Sequence, residues 1–385
     1  MTGGLKPIRR VVTGNDARGR SRVVWDGPAP NTHETSLGSG RGHTDLWVWN
    51  EAPAPLSGTN DDGNLPYTFC GPSNGGHFRV VQARPRPADY DPMKDRDLVP
   101  PHPPKLRAGG RGTWDRGGNS VSSSAMHKTE TVDYGIVLAG ERGLVLDDCE
   151  LTMKPGDIVI QVGAWHQWTM PKGAMMAFDM IGAHFVDGEA GLGQGNDKPL
   201  ATVPKLPDGV KPTRRIVTID REPGKSSLVC DGPAPDVRTD PARPGYACAR
   251  LWVTDSTPAK IVFETLHLPH TLTPPASGSV CRVETFPPDD GWKSKVGAAQ
   301  VQAFYRAVGS PEASTYSPLA PHPYMQKTRT LDFCIVLDGE IVLVLDTQEV
   351  ALKTGDIVIQ RGTHHAWSNR SSRPAVVAIA AHDGR

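Results

Sequence analysis

Neither sign of charge is in excess in this chain: 42 Lys and Arg stand against 42 Asp and Glu over 385 residues. That balance supplies no basic footprint for nucleic acid and no acidic tail, so partners held by charge alone are excluded. Long apolar runs are missing as well. No stretch approaches the roughly eighteen consecutive apolar residues of a membrane span, and the opening MTGGLKPIRRVV has no apolar core before a cleavage site, so a cytoplasmic protein without a membrane partner is predicted. The six cysteines, Cys70, Cys149, Cys230, Cys248, Cys281 and Cys334, form no C-x-x-C pair and keep no regular spacing. A disulfide framework and thiolate zinc are thereby excluded, and buried reduced thiols are expected. There is no G-x-S-x-G elbow, no phosphate loop and no H-E-x-x-H, hence no nucleotide or flavin signature and no ready-made catalytic assignment.

What the chain does have is glycine and proline, 41 and 36 residues, and an internal repeat. IRRVVT at 8–13 returns as TRRIVT at 213–218, DGPAP at 26–30 as DGPAP at 231–235, and LWV at 46–48 as LWV at 251–253, all at an offset of 205. From Asp133 and Asp332 onward the offset is 199, so the halves differ by small insertions. The polar, proline-bearing segment 195–212 reads as a linker between a domain over 1–194 and a second over 213–385. Apolar runs in both halves are short and β-branched (IVL 136–138, IVI 158–160, IVL 335–337, IVI 357–359), with Gly, Pro and Asp between them. This spacing predicts an all-β protein of sandwich or barrel type. One exception is VGAAQVQAFYRAV at 296–308, whose spacing predicts a helix; its counterpart at 85–124 is rich in Pro, Gly and Ser and reads as a long surface excursion.

Strand alternation organises the polar residues. In HKTETVD at 127–133 it puts His127, Thr129, Thr131 and Asp133 on one face, and Lys128 and Glu130 on the other, where a solvated face is expected. A Gly156-Asp157 turn and the segment Gly163-Ala-Trp-His166 then return a second imidazole toward the first strand. Two histidines and a carboxylate with open positions suit non-haem iron and would accept manganese, zinc, nickel or cobalt. A plain packing alternative remains, in which these residues only hydrogen-bond one another in a satisfied polar core. Asp157 and Asp356 are expected to cap turns, Tyr134 to look away from the pocket, and His322 to be an exposed loop residue unless it swings in as a ligand.

These segments resemble the two signature motifs of the cupin superfamily, G-x5-H-x-H-x(3,4)-E-x6-G and G-x5-P-x-G-x2-H-x3-N. His127 falls on the first histidine, Thr129 replaces the second, Asp133 replaces the glutamate, and Gly140 follows at the expected distance. Gly156, Gly163 and His166 match the second motif, without its proline, one residue short between glycines, and with Met170 in place of Asn. Both halves carry the pattern, so the resemblance implies two tandem cupin domains, each a jelly-roll β-barrel. The opening PIRRVVTG with M-H-x-T-x-T-x-D-Y and G-D-x-V-x-Q-x-G-x-x-H-x-W further resembles single-domain cupins, some fungal members of which are regarded as oxidoreductases of aromatic polyketide pathways.

The resemblance implies a divalent metal, iron or manganese before zinc or nickel, held by His127, Asp133 and His166, with Thr129 facing a small-molecule substrate. Trp168 shares the inward parity of His166, which makes it either an aromatic wall for that substrate or part of the barrel core. The second half departs further. Gln326, Thr328, Asp332 and His365 stand at the corresponding positions, with Trp367 answering Trp168, and a neutral amide is a weak ligand. The second site is therefore expected to bind metal poorly or not at all. The expected activity is that of a dioxygenase-like oxidoreductase acting on an aromatic or polyketide-like molecule. Alternatives are a non-redox lyase, isomerase or decarboxylase using the same site, and a non-catalytic binding protein that uses Trp168 and Trp367. A two-unit chain of this kind can also form a homodimer.

Overall fold

The computed structural model of the chain describes residues 4–58, 61–64, 69–107, 112–185, 200 and 205–385. Much of the linker segment 195–212 lies outside the described residues. Strands dominate, as the short β-branched runs require, and they form two large eight-stranded sheets. The first runs in the order Asn31–Glu34, Arg41–Trp49, Gly76–Ala83, Ala174–Gly182, Thr131–Gly140, Ile158–Val162, Arg214–Glu222, Lys225–Pro233. The second runs Asp236–Thr239, Ala247–Thr254, Ser279–Phe286, Ala375–Asp383, Thr330–Asp338, Ile357–Arg361, Arg9–Asn15, Ser21–Pro28. Each large sheet faces a small three-stranded one, Arg142–Val145 with its neighbours in the first half and Glu340–Leu345 with its neighbours in the second. The result is two jelly-roll units in which the facing sheets are separate hydrogen-bonded ladders.

The halves exchange strands. Arg9–Asn15 pairs in parallel with Ile357–Arg361 of the second half, and Arg214–Glu222 pairs in parallel with Ile158–Val162 of the first. The repeated Arg-Arg pair explains why. Arg9 spans Asp26 of its own hairpin and Asp356 of the other half, at 2.8 and 2.7 Å; Arg214 does the same with Asp231 and Asp157, at 2.7 and 2.8 Å. The next arginine of each pair is buried: Arg10 donates to the Leu46 carbonyl, and Arg215 to that of Leu251 and to Glu264 at 2.8 Å. Asp157 and Asp356 do cap their turns, accepting from the Lys154 and Lys353 amides.

Because the large sheets pack against each other, both faces of their central strands are covered. Val132, Tyr134 and Ile136 point into the core between the sheets, against Trp252, Phe333 and Ile335 of the other half. The alternate residues, Asp133 and Val137, face the interior of the first unit. Tyr134 looks away from that interior as alternation requires, its hydroxyl 2.7 Å from Ser279. Lys128 corrects the expectation of a solvated face. It is 1% exposed, its Nζ lies 3.8 Å from Asp220 and over the rings of Trp165 and Phe185, because the exchanged strand covers the face that alternation turns outward.

The helix falls where its spacing places it, at Ala298–Ala307, with Val301, Phe304 and Tyr305 buried. No helix among the described residues is long and apolar enough to cross a membrane.

Candidate functional site

His127 and His166 meet across a two-residue bridge in which each backbone amide donates to the other's carbonyl, at 2.9 and 2.8 Å. Gly163, at φ +61, makes the turn that brings His166 back; a side chain there would be strained and would sit 2.9 Å from Phe185. The two imidazole centroids are 4.4 Å apart. Each Nδ1 lies 2.7 or 2.8 Å from a backbone carbonyl, Ala125 or Ala164, and a carbonyl only accepts. Both Nδ1 atoms therefore carry the proton, which leaves a lone pair on each Nε2. Such a carbonyl anchor is the usual way a metal-ligating imidazole is oriented. Burial keeps His166 neutral down to about pH 4, and burial together with the neighbouring imidazole holds His127 well below its ordinary value.

These residues line a cavity of about 690 Å³. Thr129 and Asp133 line it too, with Thr129 tied to Thr131 at 2.7 Å. Asp133 is 3% exposed, its Oδ1 has no partner, and burial raises its pKa to about 7. Trp168 stands edge-on to His166 and to Phe178, at 5.4 and 5.5 Å. The excursion 85–124 contributes Arg107, Asp115, Asn119 and Ser124 to the lining, which makes it a wall of the pocket.

A second polar group in the same cavity was invisible to motif reasoning. His33, His43 and Asp45 offer three ligand atoms within 4.8 Å of one another, whereas His127, Asp133 and His166 do not come that close. His33 and His43 are directly opposed across their hairpin, and Asp45 shares the face of His43 two residues on. Asp45 takes Arg79 at 2.8 Å, His77 at 3.2 Å and His43 at 3.3 Å. Burial alone would raise its pKa, but the hydrogen bonds from His43 and His77 and the charge of Arg79 hold it well below the usual carboxylate range. The only sequence signal was the shared parity of His43 and Asp45, and the register that adds His33 is tertiary.

In the second unit the same positions are closed by protein. Gln326 Nε2 lies 3.1 Å from His365 Nε2, whose Nδ1 is tied to the Thr363 carbonyl at 2.9 Å, and the Tyr305 hydroxyl donates to Gln326 Oε1. The amide thus occupies the lone pair that is free on His166. Thr328 pairs with Thr330 as Thr129 does with Thr131, and Asp332 is buried with one oxygen unpartnered. Phe304 and Tyr305 from the helix, Tyr324, Trp367 and the Arg243 guanidinium, 3.6 Å from the Tyr324 ring centre, fill the interior and leave about 20 Å³. His322 is fully buried rather than exposed, accepting from the Tyr324 amide at 3.2 Å, and does not join His365. His364 faces away, bonded to Asp346 and Thr315.

The Cupin domain family matches residues 315–381. Among curated relatives, a phomopsin biosynthesis cluster protein of Diaporthe leptostromiformis is 56% identical over 48 residues, 12% of this chain and 25% of that protein. A cupin-domain-containing oxidoreductase of Aspergillus ruber is 25% identical over 167 residues, 43% of this chain and 65% of that protein. The chain spans about a quarter of the length of the phomopsin relative it matches. Among solved structures, a glyoxylate-induced protein of Pseudomonas aeruginosa aligns with a TM-score of 0.42 at 12% identity, covering 92% of this chain and 85% of that one.

Proposed function

We propose, for a chain of the cupin superfamily with one open and one filled unit, that the first half is an oxidoreductase site for a small aromatic molecule. The second half then acts as its structural partner. The observation that carries this reading is the contrast between His127 and His166, whose Nε2 lone pairs are free beside a cavity of about 690 Å³, and Gln326 and His365, which bond to each other. Relatives named as cupin-domain oxidoreductases favour the redox class.

The donor set fits a divalent cation. His127 and His166 would hold it, with Asp133, whose buried Oδ1 lacks any partner, completing the set by a side-chain movement. Bound there, iron or manganese would supply Lewis acidity and access to one-electron chemistry. The residues of the chain do the rest. Trp168 and Phe178 offer ring faces and edges to a planar molecule, and Thr129 a hydroxyl. Burial raises the Asp133 pKa to about 7, so when it is not bound to the cation it can give or take a proton at its carboxyl oxygen. That property serves a non-redox lyase or isomerase equally well, and oxygen uptake with turnover separates the two.

His33, His43 and Asp45 favour a second location for the cation, at a half-open edge of the same cavity. Elemental analysis of protein purified without added metal decides between them. We expect about one equivalent of metal per chain, lost in His127→Ala and His166→Ala and kept in His43→Ala and Gln326→Ala. Loss in His43→Ala alone would move the metal to the hairpin. No metal in any form, even after reconstitution, would end the metalloenzyme reading.

A further inference from the structure

Four arginines line the first cavity, and three of them are engaged: Arg79 with Asp45 at 2.8 Å, Arg107 with Asp115 at 3.3 Å, and Arg41 with the Ser123 carbonyl at 2.8 Å. Arg142 is not. It is 2% exposed, its Nε and Nη1 have no hydrogen-bond partner, and no carboxylate pairs with it among the described residues. Its guanidinium lies over the rings of Trp168 and Phe178, with 5.0 and 5.7 Å to their centres. We propose that Arg142 is the anion-binding residue of this cavity, and that its ligand is an aromatic carboxylate or phenolate whose ring packs beside Trp168. The inference rests on the reading of the cavity as a small-molecule site, and adds the charge class of the molecule.

Three arguments support it. A buried guanidinium without a counter-ion is costly, and removal from water pushes its pKa down only to about 9, so it stays charged near neutrality. An anion arriving in the cavity offsets that cost, and its oxygens supply the acceptors that Nε and Nη1 lack. The repeat provides an internal control: Arg142 corresponds to Ile341 in the second half, where the interior is filled and the position is 2% exposed. An aliphatic side chain is thus sufficient for packing at this point of the fold, and the arginine is left with a ligand to explain it. Finally, two of the carboxylates that line the cavity do not oppose an anion, since Asp45 is paired with Arg79 and Asp115 with Arg107.

The test is calorimetric titration of the full chain with salicylate and with its neutral analogue salicylamide, for the parent, Arg142→Ile and Arg142→Lys, each checked for a native circular dichroism spectrum. The parent should prefer salicylate by about ten- to a hundredfold, the span expected for charge-assisted hydrogen bonds. Arg142→Ile should lose that preference while keeping its affinity for salicylamide, and Arg142→Lys should retain part of it. Equal affinity of the parent for both probes, or a preference that survives in Arg142→Ile, overturns the anion assignment and leaves the aromatic pocket standing. Failure of the parent to bind either probe overturns the assignment and the aromatic reading together, and the metal analysis is independent of both.

Discussion

Produced separately, residues 1–200 and 201–385 are each expected to be unfolded or insoluble, and to yield soluble protein only when produced together. Each half lends its first hairpin to the other's sheet, so isolation strips two strands from each unit and leaves the lent hairpin without a partner. Arg10, Val11, Val12 and Thr13 are at most 3% exposed in the intact chain, as are Arg215, Ile216, Val217 and Thr218. Burying one such aliphatic side chain contributes about 1.5–3 kcal/mol. Splitting a buried ion pair that spans the halves, such as Lys128 with Asp220, costs a further ~3–5 kcal/mol when one partner is removed. Together these losses match the whole stability of an ordinary domain, about 5–15 kcal/mol. Thermal melts followed by circular dichroism test it: a cooperative transition in either isolated half would show that the exchanged strands are dispensable.

Acidification should unfold the intact protein between about pH 6 and pH 4. Burial depresses the pKa of His365 to about 4, of His77 to about 3 and of His322 to about 2, each from the ordinary value of 6.5. The unfolded chain then binds protons that the folded chain refuses. Stability from these groups is fully present above pH 6.5 and falls as the pH drops toward the folded values, at about 1.4 kcal/mol per unit for each histidine. By pH 5 three such groups amount to roughly 6 kcal/mol. Asp133 works in the opposite direction: raised to about 7, it takes up its proton in the folded state first and gains stability from pH 7 down to its unfolded value. One carboxyl offsets less than half of what three histidines remove. Tryptophan fluorescence against pH would show the transition, with a shallower dependence in His322→Gln, and a protein folded at pH 4 would contradict the argument.

Much of the site was legible because its chemistry lies along single strands. His127, Thr129 and Asp133 do share a cavity with His166 and Trp168, since alternation and a glycine turn are local properties of the chain. The closure of the second unit was half legible: Gln326 marks the lost histidine, but the filling by Phe304, Tyr305, Tyr324 and Arg243 depends on where the helix docks. Arg142 could have been found by comparing the repeats, since Ile341 stands opposite it and the contrast is in the sequence. Lys128 was misjudged because a face turned from the pocket is solvated only in a sheet with one covered side, and here the other side is covered as well.

The division between the two kinds of information follows the range of the forces involved. Residue order alone determined the β-rich composition, the duplication, the turns at Gly140, Gly156 and Gly163, the helix, and the parity that turns the polar residues of each signature strand inward. All of these rest on dihedral preferences and two-residue alternation, which act over a few positions. Tertiary structure alone decided the strand exchange locked by Arg9 and Arg214, the assembly of His33, His43 and Asp45 across a hairpin register, and the filling of the second unit by side chains from its docked helix. Those outcomes depend on groups far apart in the chain meeting in one low-dielectric place, where a charge must find its counterpart or a cavity must be filled.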